Sequence, residues 1–397
     1  MGVEVKISKI TKLIIWIVSI LLIIVIGYLV AVYSNIPFIA KWRTIYIETA
    51  MGTMSHKWLA TSFIPEPVVS DVVTSMEEQE IQNLVDTNTI DIPRHANMIL
   101  RSPQGLNSEQ TALREFTINY SEIDMGTMPE NISYNNLFIE DCEGIKTIHG
   151  DDVYAIDTIN GIVVINIKGE GYVGKLVIVK DPAQVKLAHS TREGCGDFVV
   201  NIGKAHDAVV ALNASGFMDP EGRGNGGEVV GYEKSFGNHI NDRAISGYWF
   251  IVGFDNDNNL MIGSKIDTSL LRDGVEFKPA LVIDGIKKVE GSAGWGIQPR
   301  SAIGQTADKQ VLLLAIDGRK PTYSIGATVS DCADIMLRYG AMNAINLDGG
   351  SSTALAYNGK TINVTCTSSG NKDGRYVPNA WVVLKRSAID TGDTQGE

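Results

Sequence analysis

Charged and amide side chains stand at the ends of several short apolar segments of this sequence. Each segment has the length and composition of a buried β-strand. A strand delivers its terminal residues to the edge of its sheet, and several such ends brought together would form one polar pocket. The pocket would combine carboxylates with guanidinium groups, and its members would be Asp317, Asp348, Asn213, Arg300 and Arg375.

The segment 345–356, INLDGGSSTALA, is the most informative of these. Gly349 and Gly350 can adopt positive φ and allow another group to approach the backbone closely. Ser351 supplies a hydroxyl beside the Asp348 carboxylate. These are properties of a polar site built at the end of a strand. The alternative is an ordinary hairpin turn, since the chain contains five Asp-Gly pairs.

Two further residues are candidates for the site, and the absence of certain motifs excludes two classes of enzyme. Arg319 directly follows an Asp-Gly pair and adds a third guanidinium, and His239 is the histidine that could line the site. The chain has no HExxH and no Gly-x-Ser-x-Gly motif, which argues against a zinc protease or a serine hydrolase.

The four cysteines have no CxxC spacing. We expect Cys332 to be a buried free thiol and leave open a disulfide between two of the others.

Five motifs occur in one order along the chain: NASGF at 213–217, PRSAIG at 299–304, AIDGR at 315–319, NLDGGSS at 346–352 and GRYVPNA at 374–380. This series resembles the phosphodiester glycosidase domain family over roughly residues 131–386. That family includes the lysosomal uncovering enzyme, which removes N-acetylglucosamine from a phosphodiester on mannose 6-phosphate, and bacterial proteins associated with exopolysaccharide synthesis. The chain departs from the family pattern at Ser351, where a third glycine is more common, and at Ala214-Ser215, where the family has Gly-Gly.

The resemblance implies hydrolysis of a sugar-1-phosphodiester, such as an N-acetylglucosamine-1-phosphodiester. The leaving phosphate is a stable anion, so cleavage of the anomeric C–O bond needs little protonation, and arginines could stabilise the departing charge. The residues expected to be catalytic are Asp348, Asp317 and Arg300. Those expected to contact substrate are Arg319, Arg375, Asn213, Gly349, Gly350, Ser351 and His239. The alternative for the arginines is structural pairing with the same aspartates.

A function of another class is a non-hydrolytic, membrane-tethered glycan-binding or polysaccharide assembly factor on the same fold. The departures at Ala214-Ser215 and Ser351 motivate this alternative. The presence of two aspartates and three arginines favours an enzyme, because buried charges are costly unless they are used or paired.

The overall charge restricts the partners. The net charge is −12 and the pI is about 5.1, which argues against nucleic acid as a partner. A phosphate site must therefore depend on locally placed arginines. No cofactor is certain from the sequence, and a calcium ion held by turn carboxylates such as Asp219 or Asp284 is an alternative.

The N-terminus predicts a membrane anchor. Residues 13–32 are apolar except for Ser19, Gly27 and Tyr28, and a helix of this length spans the ~30 Å of a bilayer's hydrocarbon core. The run is longer than a signal-peptide core, so we expect an uncleaved anchor. Lysines before the span place the N-terminus in the cytoplasm and the rest of the chain outside the cytoplasmic membrane.

The chain is expected to divide into a cytoplasmic N-terminus (1–12), a transmembrane helix (13–33), a juxtamembrane helix and tether (34–130), a phosphodiester glycosidase-like domain (131–388) and a polar tail (389–397). Within the juxtamembrane part, apolar residues at near-helical spacing indicate a helix. It either packs on the domain or lies on the outer leaflet with Trp42 and Trp58 at the headgroups. Residues 64–110 are expected to be a tether with one or two short helices.

The fold class is expected to be α+β, with a mixed β-sheet. Predicted strands include 153–156, 161–167, 175–179, 198–202, 248–254, 260–262 and 280–283. A helix over 328–338 lies between strands ending at Asp317 and Asp348, so a strand-helix-strand unit would bring both carboxylates to one sheet edge if its strands run parallel. Residues 357–360, Tyr-Asn-Gly-Lys, are typical of a type I′ hairpin.

Overall fold

A computed structural model describes residues 8–53, 56–87, 108–129, 138–139, 142–245, 249–367 and 369–386. The predicted tail (389–397) and the predicted start of the domain at residue 131 lie outside these ranges. The helices are α1 (Lys9–Tyr33), α2 (Pro37–Met51), α3 (Trp58–Thr61), α4 (Glu66–Thr87), α5 (Ser108–Asn119), α6 (Val199–Ala205) and α7 (Val329–Arg338).

The β-strands that the structure describes form three sheets. They are β1 (Phe138–Ile139), β2 (Asp152–Asp157), β3 (Ile162–Gly169), β4 (Tyr172–Val179), β5 (Val185–His189), β6 (Ala208–Asn213), β7 (Glu233–Ser235), β8 (Asn238–Asn241), β9 (Phe250–Asp255), β10 (Leu260–Gly263), β11 (Leu271–Phe277), β12 (Ala280–Ile283), β13 (Ile286–Lys287), β14 (Arg300–Thr306), β15 (Val311–Ile316), β16 (Ala341–Leu347), β17 (Leu355–Tyr357), β18 (Lys360–Thr361) and β19 (Asn379–Leu384).

The largest sheet has nine strands in the order β1-β2-β3-β4-β15-β14-β16-β12-β13. β14 is antiparallel to both β15 and β16, so these two strands run parallel to each other with β14 between them. α7 connects them. It begins at a capping box in which the Thr328 hydroxyl accepts a hydrogen bond from Asp331 N, and it ends before Gly340, whose φ is +80°. The strand-helix-strand prediction is confirmed.

Two five-stranded sheets, β10-β9-β11-β7-β8 and β18-β17-β6-β19-β5, complete the domain. A central core joins all three sheets, with Ile345 of β16, Phe250 of β9 and Trp381 of β19 buried together. A second core packs α7 against the nine-stranded sheet and includes the buried free thiol of Cys332. The predicted α+β class is confirmed. The four cysteines all lie in the described residues and form no disulfide there.

Two local predictions have opposite outcomes. The hairpin at 357–360 is confirmed, since Asn358 and Gly359 both have positive φ, as a type I′ turn requires. The predicted strand at 198–202 is wrong, because this segment begins helix α6. Asp197 accepts hydrogen bonds from Phe198 N and from the side chain of Asn201, which holds the first turn. The apolar side chains of α6 then pack against β6, in a third hydrophobic cluster.

The N-terminal helix α1 is the feature that could cross a membrane. It has 25 residues and a mean hydropathy of 3.1, and it is the one helix of the described residues with this character. Its apolar side chains are exposed apart from Val32. This helix is consistent with a single-pass anchor or a signal sequence.

Helix α2 packs on the domain, as one of the two alternatives predicted. Glu48 is buried on its inner face. Trp42, also of α2, and Trp58, of the neighbouring α3, remain exposed. Contact of these tryptophans with lipid stays a prediction. In the described part of the predicted tether, α4 is a single 22-residue helix, longer than the short helices expected. It is fixed to the domain by an ion pair of 2.8 Å between Glu80 and Lys278.

Candidate active site

Three of the predicted site residues, Asp317, Asp348 and Arg300, lie at one edge of the nine-stranded sheet. Asp317 follows β15 and Asp348 follows β16, at corresponding ends of two parallel strands. Arg300 begins the antiparallel strand between them and pairs with Ile316, the residue before Asp317. The register of three adjacent strands therefore brings two carboxylates and one guanidinium to the same edge.

Asp348 is the carboxylate of this edge that retains access to solvent. Its side chain is half-buried, and burial raises its pKa to about 6, against the opposing effects of a hydrogen bond from Ser352 and the charge of Arg375. No cation lies within 4.0 Å of its carboxylate among the residues that the structure describes. Asp348 is thus an accessible acid that titrates close to neutral pH.

The glycines after Asp348 allow the turn to approach the strand next to it. Gly350 has φ +59° and donates its N–H to the carbonyl of Pro299 at 2.8 Å. A Cβ at Gly349 would lie 2.8 Å from the same carbonyl oxygen, so a side chain does not fit there. Gly350 also borders Arg319, whose Nη2 would be 3.1 Å from an added Cβ. Ser351 follows on the same short turn and is half-buried.

Arg319 reaches solvent beside this turn, with a partly buried guanidinium. Its Nε and Nη2 both donate to Gln298 Oε1, at 3.1 and 2.5 Å. Burial lowers the pKa of Arg319, while a hydrogen bond to Cys366 and the charge of Asp348 act in the opposite direction. No carboxylate of the described residues forms an ion pair with Arg319, whose side chain is held by the amide of Gln298, so its charge is available to attract an anion.

Arg300 lies behind Arg319 and is only 3% exposed. It donates from Nε to Ala327 O at 3.1 Å and from Nη2 to the carbonyls of Trp295 and Gly296 at 2.7 and 2.8 Å. Its pKa is lowered to about 10, mainly by burial and in smaller part by the neighbouring charge of Arg319. The structure thus surrounds Arg300 with backbone carbonyls.

Arg375 forms the bidentate ion pair of the site. Its Nη1 and Nη2 contact the two carboxylate oxygens of Asp219 at 2.7 and 2.8 Å, and the guanidinium lies 4.7 Å from the ring centroid of Phe217. Burial opposes ionisation of Asp219, but hydrogen bonds from Arg375 and from Gly224 N give a lowered pKa. For Arg375 the structural pairing anticipated as the alternative is therefore present, although with Asp219.

Asp317 is bonded through both carboxylate oxygens and is 3% exposed. Oδ1 accepts from Asn363 Nδ2 at 3.1 Å and from Val364 N at 2.9 Å, and Oδ2 accepts from the Tyr323 hydroxyl at 2.9 Å. Burial raises its pKa against these three hydrogen bonds and the charge of Lys175. Asp317 holds the segment that continues to Cys366, the partner of Arg319.

Asn213 is buried against the Asp348 turn, whereas His239 lies on an edge strand away from it. The buried Asn213 donates from Nδ2 to Asp348 O at 2.6 Å and accepts at Oδ1 from the Ser301 hydroxyl at 2.7 Å. It thereby ties the Asp348 turn to β14. His239 is exposed on the edge strand β8, where it contacts Asp242 and Tyr232. None of its recorded contacts is with the residues around Asp348.

The carboxylates considered for calcium are dispersed. Asp219 is engaged by Arg375, and Asp284 stands in an exposed turn with φ +51°. The described residues contain no group of three or more His, Cys, Asp or Glu side chains that could hold a metal ion.

Three residues around the arginines were not identified from the sequence as site residues: Gln298, Glu48 and Thr49. Gln298 stands beside a recognised motif and differs in no way from an ordinary polar neighbour. Glu48 and Thr49 come from α2, some 250 positions away in the chain. One signal could have identified Glu48, which is an acidic residue on the apolar face of a helix, next to Ile47.

Comparison with known proteins agrees with the resemblance. Residues 206–384 match the family model described as phosphodiester glycosidase. This segment contains all five motifs, so the predicted resemblance is confirmed for it. The SPbeta prophage-derived uncharacterized protein YomE of Bacillus subtilis (strain 168) is 32% identical over 196 residues, which are 46% of this chain and 29% of that protein. This chain thus spans less than a third of that relative's length.

Two solved structures are similar to part of this chain. The catalytic domain of zebrafish N-acetylglucosamine-1-phosphodiester alpha-N-acetylglucosaminidase, auto-inhibited by its pro-peptide, is 19% identical with a TM-score of 0.47, and the match covers 57% of this chain and 82% of that one. A hypothetical protein from Synechocystis is 16% identical with a TM-score of 0.41, over 57% of this chain and 62% of that one.

Proposed function

We propose that this protein is a membrane-anchored phosphodiester glycosidase that hydrolyses a sugar-1-phosphodiester of a cell-surface glycan or exopolysaccharide outside the cytoplasmic membrane. The observation that carries the proposal is the environment of Asp348. This carboxylate is accessible, has a raised pKa, and lies within the electrostatic range of Arg319 and Arg375. An acid next to cationic groups is the arrangement that a glycosyl phosphate requires.

Arg319 is the residue assigned to bind the phosphate group of the substrate. Its guanidinium faces solvent and is held by the neutral amide of Gln298, so a phosphate oxygen would meet a charge with no carboxylate in contact. Arg300 contributes a second positive charge from the protein interior. Arg375 is oriented by Asp219 and faces the site as part of an ion pair.

Asp348 is the residue assigned to act on the anomeric carbon of the sugar. With a pKa of about 6, roughly nine-tenths of its carboxylate is ionised at pH 7. The charge would stabilise the oxocarbenium-like anomeric carbon or orient a water molecule toward it. Water adds to the anomeric carbon while the C–O bond breaks, and the bonding electrons leave with the phosphate oxygen. The products are a free sugar and a phosphate monoester. Asp317, fully hydrogen-bonded, supports this arrangement through the segment that carries Cys366.

The second candidate is a membrane-tethered glycan-binding factor without hydrolysis. The occupation of Arg375 by Asp219 favours it, because a bidentate ion pair leaves fewer donors for substrate. The bulk of Ser351 and of Ala214-Ser215, where the family has glycine, points the same way.

The test is an assay of the full chain in detergent or nanodiscs with N-acetylglucosamine-1-phosphodiesters. Release of free sugar and phosphate monoester supports the enzyme. A protein that binds the glycan, measured by calorimetry in the same preparation, but releases neither product contradicts it. Orientation is tested separately with an impermeant protease on intact cells, which should degrade the domain if it lies outside. Degradation only after lysis would reverse the proposed topology.

A further inference from the structure

Helix α2, which follows the predicted anchor, contacts the loop that binds Arg300 and Arg319. Residues 292–298, called here the 292–298 loop, lie between α2 and the start of β14. On one side, Glu48 and Thr49 of α2 bind this loop. On the other side, the loop binds Arg300 and Arg319. The two sets of contacts are continuous.

The first chain of contacts runs through Gln298. Its Nε2 donates to the backbone carbonyl of Thr49 at 2.9 Å, and its Oε1 accepts both hydrogen bonds from Arg319. The Thr49 hydroxyl accepts from Ile297 N at 2.9 Å and donates to Ile45 O at 2.6 Å. Gln298 is 4% exposed, so water does not readily replace these partners. The orientation of the Arg319 guanidinium therefore depends on a residue of α2.

The second chain of contacts runs through Gly296. Its carbonyl accepts from Arg300, and the buried Glu48 of α2 lies beside it. Burial raises the pKa of Glu48, while Ser292, Gly294 and Gly296 of the loop act in the opposite direction, and its Oε2 is buried with no hydrogen-bond partner in the described ranges. A Cβ at Gly296 would lie 2.4 Å from Thr49 N. The loop and α2 are therefore in contact with no space between them.

We propose that Glu48 and Thr49 are positioning residues that hold the 292–298 loop, and through it Arg319 and Arg300, in the geometry that binds phosphate. The juxtamembrane helix is then part of the active site, and its role extends beyond a spacer between membrane and domain. This inference rests on the proposed function for its effect on catalysis. The positions of the arginines can be measured independently of catalysis.

The test compares two glycines of the same region. Gly296 and Gly291 have φ of +56° and +57°, so alanine suffers the same backbone strain at both. A Cβ at Gly291 meets nothing within 4 Å, whereas at Gly296 it displaces α2. Gly296→Ala should lower kcat at least about tenfold relative to Gly291→Ala, since displacements of about 1 Å have effects of this size or larger. The melting temperatures of both variants report any general loss of folding.

A second pair keeps the backbone unchanged. Thr49→Val removes the acceptor of Ile297 N, and Thr117→Val is the control, because Thr117 makes the same hydroxyl contact to the carbonyl four residues earlier, Leu113 O, on the exposed face of α5. In these variants and the glycine pair, modification of Arg319 by phenylglyoxal is followed by mass spectrometry. Release from Gln298 should raise the labelling rate at least about threefold in Thr49→Val and Gly296→Ala over their controls.

The outcomes separate the two proposals. Equal labelling of Arg319 within each pair overturns the positioning role, whatever the activity. Faster hydrolysis in Gly296→Ala also overturns it, because α2 would then restrain the site. A parent protein without hydrolysis refutes the proposed function alone, and the labelling ratios still decide whether α2 positions the arginines.

Discussion

Asp317 and Asp348 occupy equivalent places in the fold and have different surroundings. Each follows a buried strand of the same sheet, each precedes a glycine, and β14 separates the two strands. Asp317 is closed off by Asn363, Val364 and Tyr323. Asp348 keeps solvent access and has no cation in direct contact within the described residues. Equivalent sequence patterns thus produce one enclosed and one accessible carboxylate.

The difference comes from the segments that follow each strand. After Asp317, Arg319 takes φ +57° and the chain returns so that Tyr323 donates to the carboxylate. After Asp348, two glycines bring the turn against Pro299, and the carboxylate is left at the surface of the edge. Tertiary partners, rather than the Asp-Gly pair itself, decide which acid is available for chemistry.

The largest expected effect is on hydrolysis, with the same substitution at both aspartates. Asp348→Asn should lower kcat about a hundredfold or more, which is about 2.7 kcal/mol of transition-state stabilisation. Asp317→Asn should stay within about threefold of the parent, because an amide can accept from Val364 N through oxygen and donate to the Tyr323 hydroxyl through nitrogen. Steady-state kinetics on an N-acetylglucosamine-1-phosphodiester measure both. The reverse ranking would make Asp317 the reactive acid.

Substitution by alanine should affect stability in the opposite order, with a larger loss at Asp317 than at Asp348. Asp317→Ala leaves Val364 N without an acceptor and Asn363 Nδ2 with only the carbonyl of Thr353, at an expected cost of roughly 1–3 kcal/mol in the free energy of unfolding. Asp348→Ala removes a carboxylate whose ionisation burial already disfavours, and should not lower stability at pH 7. Denaturant unfolding of the two variants gives the comparison. Equal losses would show that Asp348 is structural as well.

The cation beside the reactive acid provides a third contrast. Arg319→Lys keeps the charge but loses the planar group that binds Gln298 through two nitrogens, so kcat/KM should fall about tenfold. Arg338→Lys is the matched control, because Arg338 contacts Asp151 at 3.1 Å on α7, away from the edge. It should leave the rate within about twofold of the parent. An unchanged rate in Arg319→Lys would move the phosphate to another arginine.

The sequence predicted which strand ends form the sheet edge better than it predicted the partners of each charged residue there. Apolar runs ending in Asp or beginning with Arg give the strands, and the capped helix between them gives the parallel pair. The partners of each charge depend on contacts across long chain separations, such as Arg375 with Asp219 or Arg319 with Gln298. Pattern and spacing carry no information on those contacts. For the same reason the sequence leaves α2 on the domain or on the outer leaflet and gives no sign of its place beside the arginines.

The smallest expected effect is a pH-dependent change in melting temperature at Asp348. Burial raises its pKa from the ordinary value to about 6, so between about pH 4 and pH 6 the native state binds more protons than the unfolded chain. The contribution of this group to stability therefore falls as pH rises through that window and is constant above it. Asp348→Asn removes the titration, and its Tm should equal the parent's at pH 4 and exceed it by about 1–3 °C at pH 7, a small gain because the side chain is only partly buried. Asp152→Asn is the control of opposite sign, since hydrogen bonds from Lys146 and Lys168 lower the pKa of Asp152 and its neutralisation cannot raise Tm at pH 7. Calorimetric scans of both variants at the two pH values decide the matter. A Tm difference for Asp348→Asn that is the same at pH 4 and pH 7 would mean that its carboxylate titrates as an ordinary surface acid, and the distinction between the two strand-end aspartates would then rest on hydrogen bonding alone.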